Sequence, residues 1–185
     1  MNTELMHAPV PHVPAAMVRP IVKYPDPVLQ RPTALVTVFD ESLRQLVDDM
    51  FVSMYAAEGI GLAAPQVGVS KRLAVIDLSF QKRPEDKLVL VNPQVLETSS
   101  KQYEEEGCLS LPEIRDKVTR AAHIRVRAQD VHGTPFEVEG DGLLTRALQH
   151  EIDHLDGVLF IFRLSRLKRD LHLRKIRKMI KAGEW

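Results

Sequence analysis

The sequence is short of cysteine, of long apolar runs and of net charge. Cys108 is the only cysteine among 185 residues, so no disulfide can form within the chain, and one reduced thiol agrees with the cytoplasm as the expected compartment. No segment is long and apolar enough to cross a membrane, and the first residues lack the continuous apolar run of a signal peptide. The 25 basic and 25 acidic side chains cancel. We therefore expect neither a membrane nor DNA as a partner.

Length and composition predict one folded domain. The 185 residues include 44% hydrophobic and 27% charged side chains, which is ordinary for a globular protein that buries a core. Residues 1–18 contain three prolines and no apolar core pattern, so we predict a flexible N-terminal leader there. Residues 19–185 are predicted to form the single domain, which we expect to be monomeric.

The most specific signal is the segment His150-Glu151-Ile152-Asp153-His154. Residues four apart on a helix are neighbours, so His150 and His154 can share one tetrahedral cation. Glu151 would then be free to take a proton from metal-bound water. The pattern predicts a metal hydrolase. It fixes only three positions, however, so about a few per cent of chains of this length contain it by chance.

A catalytic site of this kind usually has a third protein ligand. Phe160 stands where the metzincin pattern needs a third histidine, and Glu184, the only later glutamate, lies at the end of the chain. The ligand is therefore expected upstream, where Cys108 follows Glu106 and Gly107. A small buried apolar residue is the alternative role for a lone cysteine. A thiolate with two imidazoles suits iron(II), zinc, nickel or cobalt better than magnesium or calcium.

A third segment, Gly59-Ile60-Gly61-Leu62-Ala63-Ala64-Pro65-Gln66, follows a predicted helix. We interpret Gly59 as the C-terminal cap of that helix. A dinucleotide-binding loop is excluded because the third glycine is missing and because the segment follows a helix rather than a strand. What remains is a tight loop that carries the Gln66 amide, a possible donor to a developing oxyanion.

Hydrophobic periodicity predicts a mixed fold. Apolar residues recur at helical spacing over 41–57, with Asp40 as the N-cap, and strands are predicted at 73–76, 88–91, 124–127 and 136–138. This order favours an α+β fold in which antiparallel β-sheets pack around a central metal-binding helix, followed by a C-terminal helix.

The three segments together resemble the motifs of the peptide deformylase family, which read G-x-G-L-A-A-x-Q, E-G-C-L-S and Q-H-E-x-D-H-L. They occur here in that order, and no motif position departs. The similarity runs from about Arg19 to the basic C-terminal helix and is greatest to the type I bacterial branch. It implies a deformylase catalytic domain over 19–185 that removes the N-formyl group from the formyl-methionine of nascent polypeptides and releases formate. It also implies one Fe2+ ion, which Zn2+, Ni2+ or Co2+ can replace.

Roles for individual residues follow from the chemistry and the resemblance together. The metal would be held by Cys108, His150 and His154, with Glu151 transferring the proton. The Gln66 amide and the Leu109 backbone N–H would stabilise the oxyanion.

Substrate and supporting residues are also predicted. Leu143 and Ala147 lie on the same helical stripe as the two histidines, so with Ile60 they are candidates for the wall of the methionine pocket. The family implies that Gly61 offers its backbone to the substrate and that Arg120 pairs with a buried Glu106. For Glu106 a solvated acidic run is the alternative. Asp153 could orient a neighbouring group or could be an ordinary surface aspartate.

The C-terminal segment is strongly basic, with eight lysines and arginines between residues 166 and 181. A docked amphipathic helix with a basic outer face explains it, and contact with the ribosome is the sharper hypothesis. Two other functions stay open at this point. A general metallopeptidase would share the two histidines and Glu151, and a non-catalytic ribosome-binding protein would explain the basic segment alone.

Overall fold

The computed structural model describes residues 15–185. The helices are α1 (Glu41–Ala56), α2 (Gly142–Leu155) and α3 (Arg166–Ala182). The strands are β1 (Gly61–Ala63), β2 (Leu73–Ile76), β3 (Leu88–Ser99), β4 (Gln102–Cys108), β5 (Leu111–Arg120), β6 (His123–Gln129) and β7 (Pro135–Asp141). Short 3-10 helices cover Pro27–Gln30, Ala64–Val67, Pro84–Asp86 and Phe160–Arg163. No helix in this part of the chain is long and apolar enough to cross a membrane.

The strands form two antiparallel sheets. The larger has the order β1-β2-β3-β6-β7, and β4 pairs with β5 in a separate hairpin. These sheets, with three helices that include one at the C-terminus, confirm the predicted α+β fold. The predicted strands lie within β2, β3, β6 and β7, but β4 and β5 were not predicted, because they form a largely exposed hairpin without a continuous apolar pattern.

Strand β2, which lies between β1 and β3, is buried along its whole length and is covered on both faces. Leu73 and Val75 belong to the cluster that α1 covers, whereas Ile76 packs with Leu148 and Ile152 of α2. Successive side chains of a strand point to opposite faces of the sheet. The apolar run of β2 therefore serves both helices and fixes α2 against the sheet.

The end of α1 differs from the prediction. Ala57 is its C-cap, and the residue in the left-handed conformation is Glu58 (φ 56°), not Gly59. The Gly59 N–H instead donates to the Met54 carbonyl at 2.9 Å, which closes the helix end. A Cβ at position 59 would lie 2.8 Å from Leu109 Cδ1, so a larger residue there would require the end of the Leu109 side chain to move. Gly59 therefore lies at a close approach of two segments and is not the left-handed cap of the helix.

At the N-terminus, residues 1–14 of the predicted leader lie outside the described residues. Its last residues, 15–18, are exposed, but one backbone group contacts α1. The Met17 N–H donates to the Asp49 carboxylate at 2.9 Å, and Arg19 pairs with the same carboxylate at 2.7 Å.

The C-terminal helix α3 docks on the hairpin. It begins after Ser165, whose hydroxyl caps it, and Ile176 enters a cluster with Ile114 of β5 and Phe160. Asp116 of β5 accepts hydrogen bonds from two groups of α3, Lys168 Nζ at 2.5 Å and His172 Nε2 at 2.9 Å. Burial raises the pKa of Asp116, but these hydrogen bonds outweigh it and lower the pKa to about 2.

We expect Asp116→Asn to destabilise the protein by about 1 kcal/mol near neutral pH, since Lys168 is 41% exposed and solvent screens the pair. The native carboxyl stays ionised to about pH 2, whereas the ordinary value is 3.8. The stabilisation is therefore present above about pH 4 and is lost as the pH falls toward 2. Urea unfolding of the two proteins at pH 6 and pH 2.5 measures this.

The free-energy difference between wild type and Asp116→Asn should be smaller at pH 2.5 than at pH 6. Asp170→Asn is the matched control, because Asp170 lies on α3 with only long contacts to its arginines, 3.8 and 4.0 Å. A difference that does not change with pH would contradict the assignment.

Candidate metal centre

Helix α2 carries both predicted histidine ligands at the centre of the molecule. Its apolar residues Leu148 and Ile152 are buried against the sheet, so the helix cannot turn about its axis without exposing them. His150 and His154 lie one turn apart on another face, with ring centroids 5.0 Å apart. The packing of the apolar stripe thus sets the direction of the two imidazoles.

Cys108 lies at the end of β4, opposite the histidines. Its Sγ is 3.2 Å from His154 Nε2, and the possible ligand atoms of Cys108, His150 and His154 all lie within 4.8 Å of one another. A tetrahedral cation with bonds of ordinary length separates its ligand atoms by about 3.5 Å. The donors therefore fit one soft divalent cation.

Glu106 orients the ring of His150 by contacting its Nδ1 atom. One carboxylate oxygen is 3.0 Å from His150 Nδ1, which leaves Nε2 for the ligand cluster. The same carboxylate accepts two hydrogen bonds from Arg120, at 2.8 and 2.9 Å, and one from Arg146 at 2.9 Å. Burial raises the pKa of Glu106, but Arg120 and His150 outweigh it and lower the pKa to about 2. An ionised Glu106 thus lies where it can hold the tautomer of His150.

A chain of alternating charges runs from Glu106 to the protein surface. Arg120 Nη1 donates to Asp153 at 2.5 Å, and Asp153 also pairs with Arg163, whose side chain is half exposed. Asp153 is itself only 5% exposed, so it is not an ordinary surface aspartate.

Glu151 is buried without the partners that Glu106 has. It is 4% exposed, and its Oε2 has no hydrogen-bond partner within residues 15–185. Burial raises its pKa to about 7. Gly61 lies directly beside it, because a Cβ at 61 would stand 2.3 Å from Glu151 Oε1. The glycine of β1 therefore makes room for this carboxyl group.

Gln66 lies in the 3-10 helix Ala64–Val67 and is 2% exposed. Its Oε1 accepts from the Ala63 N–H at 2.9 Å, so its amino group faces the other way. There Nε2 lies 3.2 Å from Ser110 Oγ and 3.6 Å from Cys108 Sγ. The amide is thus oriented by the backbone with its donor side toward the ligand cluster.

A cavity of about 570 Å³ opens onto the cluster. All four residues predicted to contact substrate line it: Ile60, Gly61, Leu143 and Ala147. Glu151, Gln66, Leu109 and two of the three predicted ligands line it as well, namely Cys108 and His150. Leu143 is 52% exposed and Ala147 is 6% exposed, so Leu143 lies at the mouth and Ala147 deeper.

Sequence reasoning missed three residues near the cluster: Ser110, Arg146 and Arg163. Arg146 is 6% exposed, lines the cavity and shares Glu106 with Arg120. Its position four residues before His150 on the helix was a signal, because it puts a cation on the ligand face. Ser110 is the last position of the E-G-C-L-S motif, which was a signal for it. Nothing in the local sequence marks Arg163.

A buried His-Glu-x-x-His helix, a third donor from a thiol and an adjoining cavity define a metal-dependent hydrolase. The family model for polypeptide deformylases matches residues 18–170. The peptide deformylase of Acidobacterium capsulatum is 68% identical over 169 residues, which are 91% of this chain and 99% of that protein. The chain belongs to the peptide deformylase family, and it removes the formyl group from the N-terminal methionine of nascent polypeptides.

Solved structures agree. A peptide deformylase from Legionella pneumophila has a TM-score of 0.84 and 47% identity, covering 90% of this chain and 97% of that one. One from Synechococcus elongatus, in complex with actinonin, has a TM-score of 0.80 and 39% identity, covering 87% and 92%.

We expect Glu106→Gln to weaken metal binding by about 10- to 100-fold, because a neutral amide holds the His150 tautomer less firmly and leaves two buried arginines underpaired. Competition of the purified protein with a chromophoric chelator for Zn2+ measures the affinity. Glu104→Gln is the matched control, since that side chain is exposed two residues earlier on β4. Equal affinities for wild type and Glu106→Gln would show that Glu106 does not act on the metal site.

Proposed function

We propose that Cys108, His150 and His154 together hold one divalent cation, and that this cation is Fe2+ in the cell. The observation that carries the proposal is the 3.2 Å approach of Cys108 Sγ to His154 Nε2 across 46 positions of sequence. One thiolate with two imidazoles is a donor set for iron(II), with Zn2+, Ni2+ or Co2+ as substitutes. When bound, the cation supplies Lewis acidity toward water and toward the formyl oxygen.

Glu151 is proposed as the group that moves the proton. Its buried, unpartnered Oε2 has no other function among the described contacts. It accepts a proton as the oxygen of water bonds to the formyl carbon. It then gives that proton to the departing nitrogen as the carbon–nitrogen bond breaks, so that formate and a free N-terminal amine are produced.

Gln66 and the Leu109 N–H are proposed to stabilise the negative oxygen of the tetrahedral intermediate. Gln66 is suited to this because Ala63 already holds its Oε1, which leaves the amino group as the donor. A donor that is oriented in advance does not have to reorganise when charge develops. The Leu109 N–H follows the cysteine ligand directly in the chain, and Leu109 lines the same cavity.

The methionine side chain is assigned to the apolar part of the cavity. Ile60, Leu143 and Ala147 form its wall, and Gly61 offers its backbone to the peptide next to Glu151. Glu106 and Arg120 are positioning residues: Arg120 is 5% exposed and keeps the carboxylate against His150.

The cellular setting is also part of the proposal. We place residues 19–185 as one catalytic domain, preceded by a leader over 1–18, in a cytoplasmic monomer. This chain alone brings three possible metal donors within 4.8 Å of one another beside a cavity, which is consistent with a monomeric enzyme. The single free cysteine is consistent with a reducing compartment.

Contact with the ribosome is proposed for the outer face of α3. Arg174, Arg177, Lys178 and Lys181 are exposed there and make no ion pair within residues 15–185. Unpaired cations on one helix face attract the phosphates of ribosomal RNA. Such contact would bring the cavity close to the nascent chain.

Glu151→Ala should lower formate release by about 100- to 10,000-fold while the metal stays bound, because the proton carrier is lost and the ligands are not. Release from a formyl-Met peptide by anaerobically purified protein, with metal analysis of the same sample, measures both. Glu139→Ala on β7, with a side chain 64% exposed, is the control. Release retained in Glu151→Ala would remove Glu151 from the mechanism, and loss of metal from that variant would assign it to binding instead.

Charge reversal on α3 should weaken co-sedimentation with ribosomes. The variant Arg174→Glu/Arg177→Glu/Lys178→Glu should reduce the bound fraction most at low salt, since the attraction is electrostatic. Lys23→Glu/Arg31→Glu/Lys101→Glu reverses the same number of exposed charges elsewhere and serves as the control. Unchanged co-sedimentation of the α3 variant at low salt would end the proposal of ribosome contact through this helix.

A further inference from the structure

Phe80 is an exposed aromatic residue at the rim of the cavity. Its side chain is 56% exposed, and it lines the cavity, as do Gly59 and Ile60. It belongs to none of the four hydrophobic clusters of the described residues. Packing in the core therefore does not account for an aromatic side chain at this position.

The backbone at Phe80 is unusual for such a residue. Phe80 has φ 52° and Gln81 has φ 66°, and the Lys82 N–H closes the turn on the Ser79 carbonyl at 3.2 Å. A turn with positive φ at both central positions is normally built from glycine, asparagine or aspartate. For a bulky residue the left-handed conformation is an outlier that persists only where the surroundings enforce it.

Asp77 supplies that enforcement. Its buried carboxylate accepts hydrogen bonds from Tyr55 Oη at 2.6 Å, from the Ser79 N–H at 2.8 Å and from the Gln81 N–H at 3.0 Å. The Asp77 N–H in turn donates to the Ile60 carbonyl at 2.9 Å. The turn is thus anchored to α1 through Tyr55 and to the segment before β1 through Ile60, and Phe80 is held at the rim of the cavity that Ile60 also lines.

We propose that Phe80 is a specificity-determining residue that contacts a side chain following formyl-methionine and favours aromatic or large apolar residues there. This inference rests on the proposed function, in which the methionine side chain occupies the inner cavity and Gly61 contacts the peptide backbone. The rest of the peptide then leaves the cavity through its rim. An exposed phenyl ring at that rim gains by covering an apolar side chain, and aromatic pairs gain further from ring geometry.

Three peptides test the inference: formyl-Met-Ala-Ser as reference, formyl-Met-Phe-Ser and formyl-Met-Ala-Phe. The metal-loaded wild type should have a higher kcat/KM for at least one phenylalanine peptide than for the reference. The ratio of kcat/KM for that phenylalanine peptide to kcat/KM for the reference peptide should be about 3- to 10-fold lower in Phe80→Gly, which is the loss expected for one aromatic contact. Formyl-Met-Ala-Ser should be deformylated nearly as before, because the catalytic groups are untouched.

Two further variants and one stability measurement complete the design. Phe80→Tyr keeps the ring and should keep the ratio. Leu35→Ala removes an apolar side chain that is 64% exposed and lies away from the cavity, and it should leave the ratio unchanged. Phe80→Gly should melt at the same or a higher temperature, because glycine adopts positive φ without strain.

The outcomes separate cleanly. An equal fall of kcat/KM for all three peptides, or an unchanged ratio, would overturn the role of Phe80 while leaving deformylation in place. A lower melting temperature with an unchanged ratio would assign Phe80 to stability and also overturn it. Failure of the wild type to deformylate even formyl-Met-Ala-Ser would instead reject the proposed function, on which the inference rests.

Discussion

The carboxylate of Glu106 is the interaction on which the site depends. Glu106 lies on β4, in the hairpin that ends with Cys108, whereas His150 and Arg146 lie on α2. One buried carboxylate therefore joins the two parts of the fold that bring the ligand atoms together. A buried charge is costly unless it is paired and fully hydrogen-bonded. Glu106 meets that condition with two arginines and one imidazole, so any displacement of the hairpin relative to α2 would leave charges without partners. The requirement to satisfy this group fixes the geometry of the metal centre.

The buried acids around the metal centre differ in whether other side chains pair with them. Glu106 and Asp153 are each held by two arginines, and the chain of alternating charges ends at the half-exposed Arg163. Glu151 is equally buried but has an oxygen without a partner within residues 15–185. Pairing with other side chains therefore accounts for Glu106 and Asp153 but not for this oxygen of Glu151. That difference is consistent with the proposed role of Glu151 as the carrier of the proton.

Local patterns predicted much of this architecture, and long-range pairing accounts for what they did not predict. The histidine spacing and the apolar stripe of α2 are properties of a few consecutive turns, so the sequence was sufficient for them. The exposed hairpin β4–β5 was missed, because Glu104 and Glu105 do not show the apolar alternation of a half-buried strand. Arg146 and Arg163 were missed because their partners are 40 and 10 residues away. The helix cap was assigned to Gly59 because glycine adopts the left-handed conformation most readily, but Glu58 adopts it here.

The cavity itself combines two kinds of structure. Its inner wall consists of regular elements, α2 and β1, whose positions are fixed by packing in the core. Its lining also includes three residues other than glycine that adopt positive φ: Glu58, Phe80 and Glu113. Left-handed backbone at residues other than glycine is uncommon and tends to accumulate at functional sites. Under the proposals above, the chemistry, which is the same for every substrate, would use groups whose positions are fixed by packing. The residues beyond formyl-methionine, which vary among substrates, would then meet turns whose side chains can change without disturbing the core.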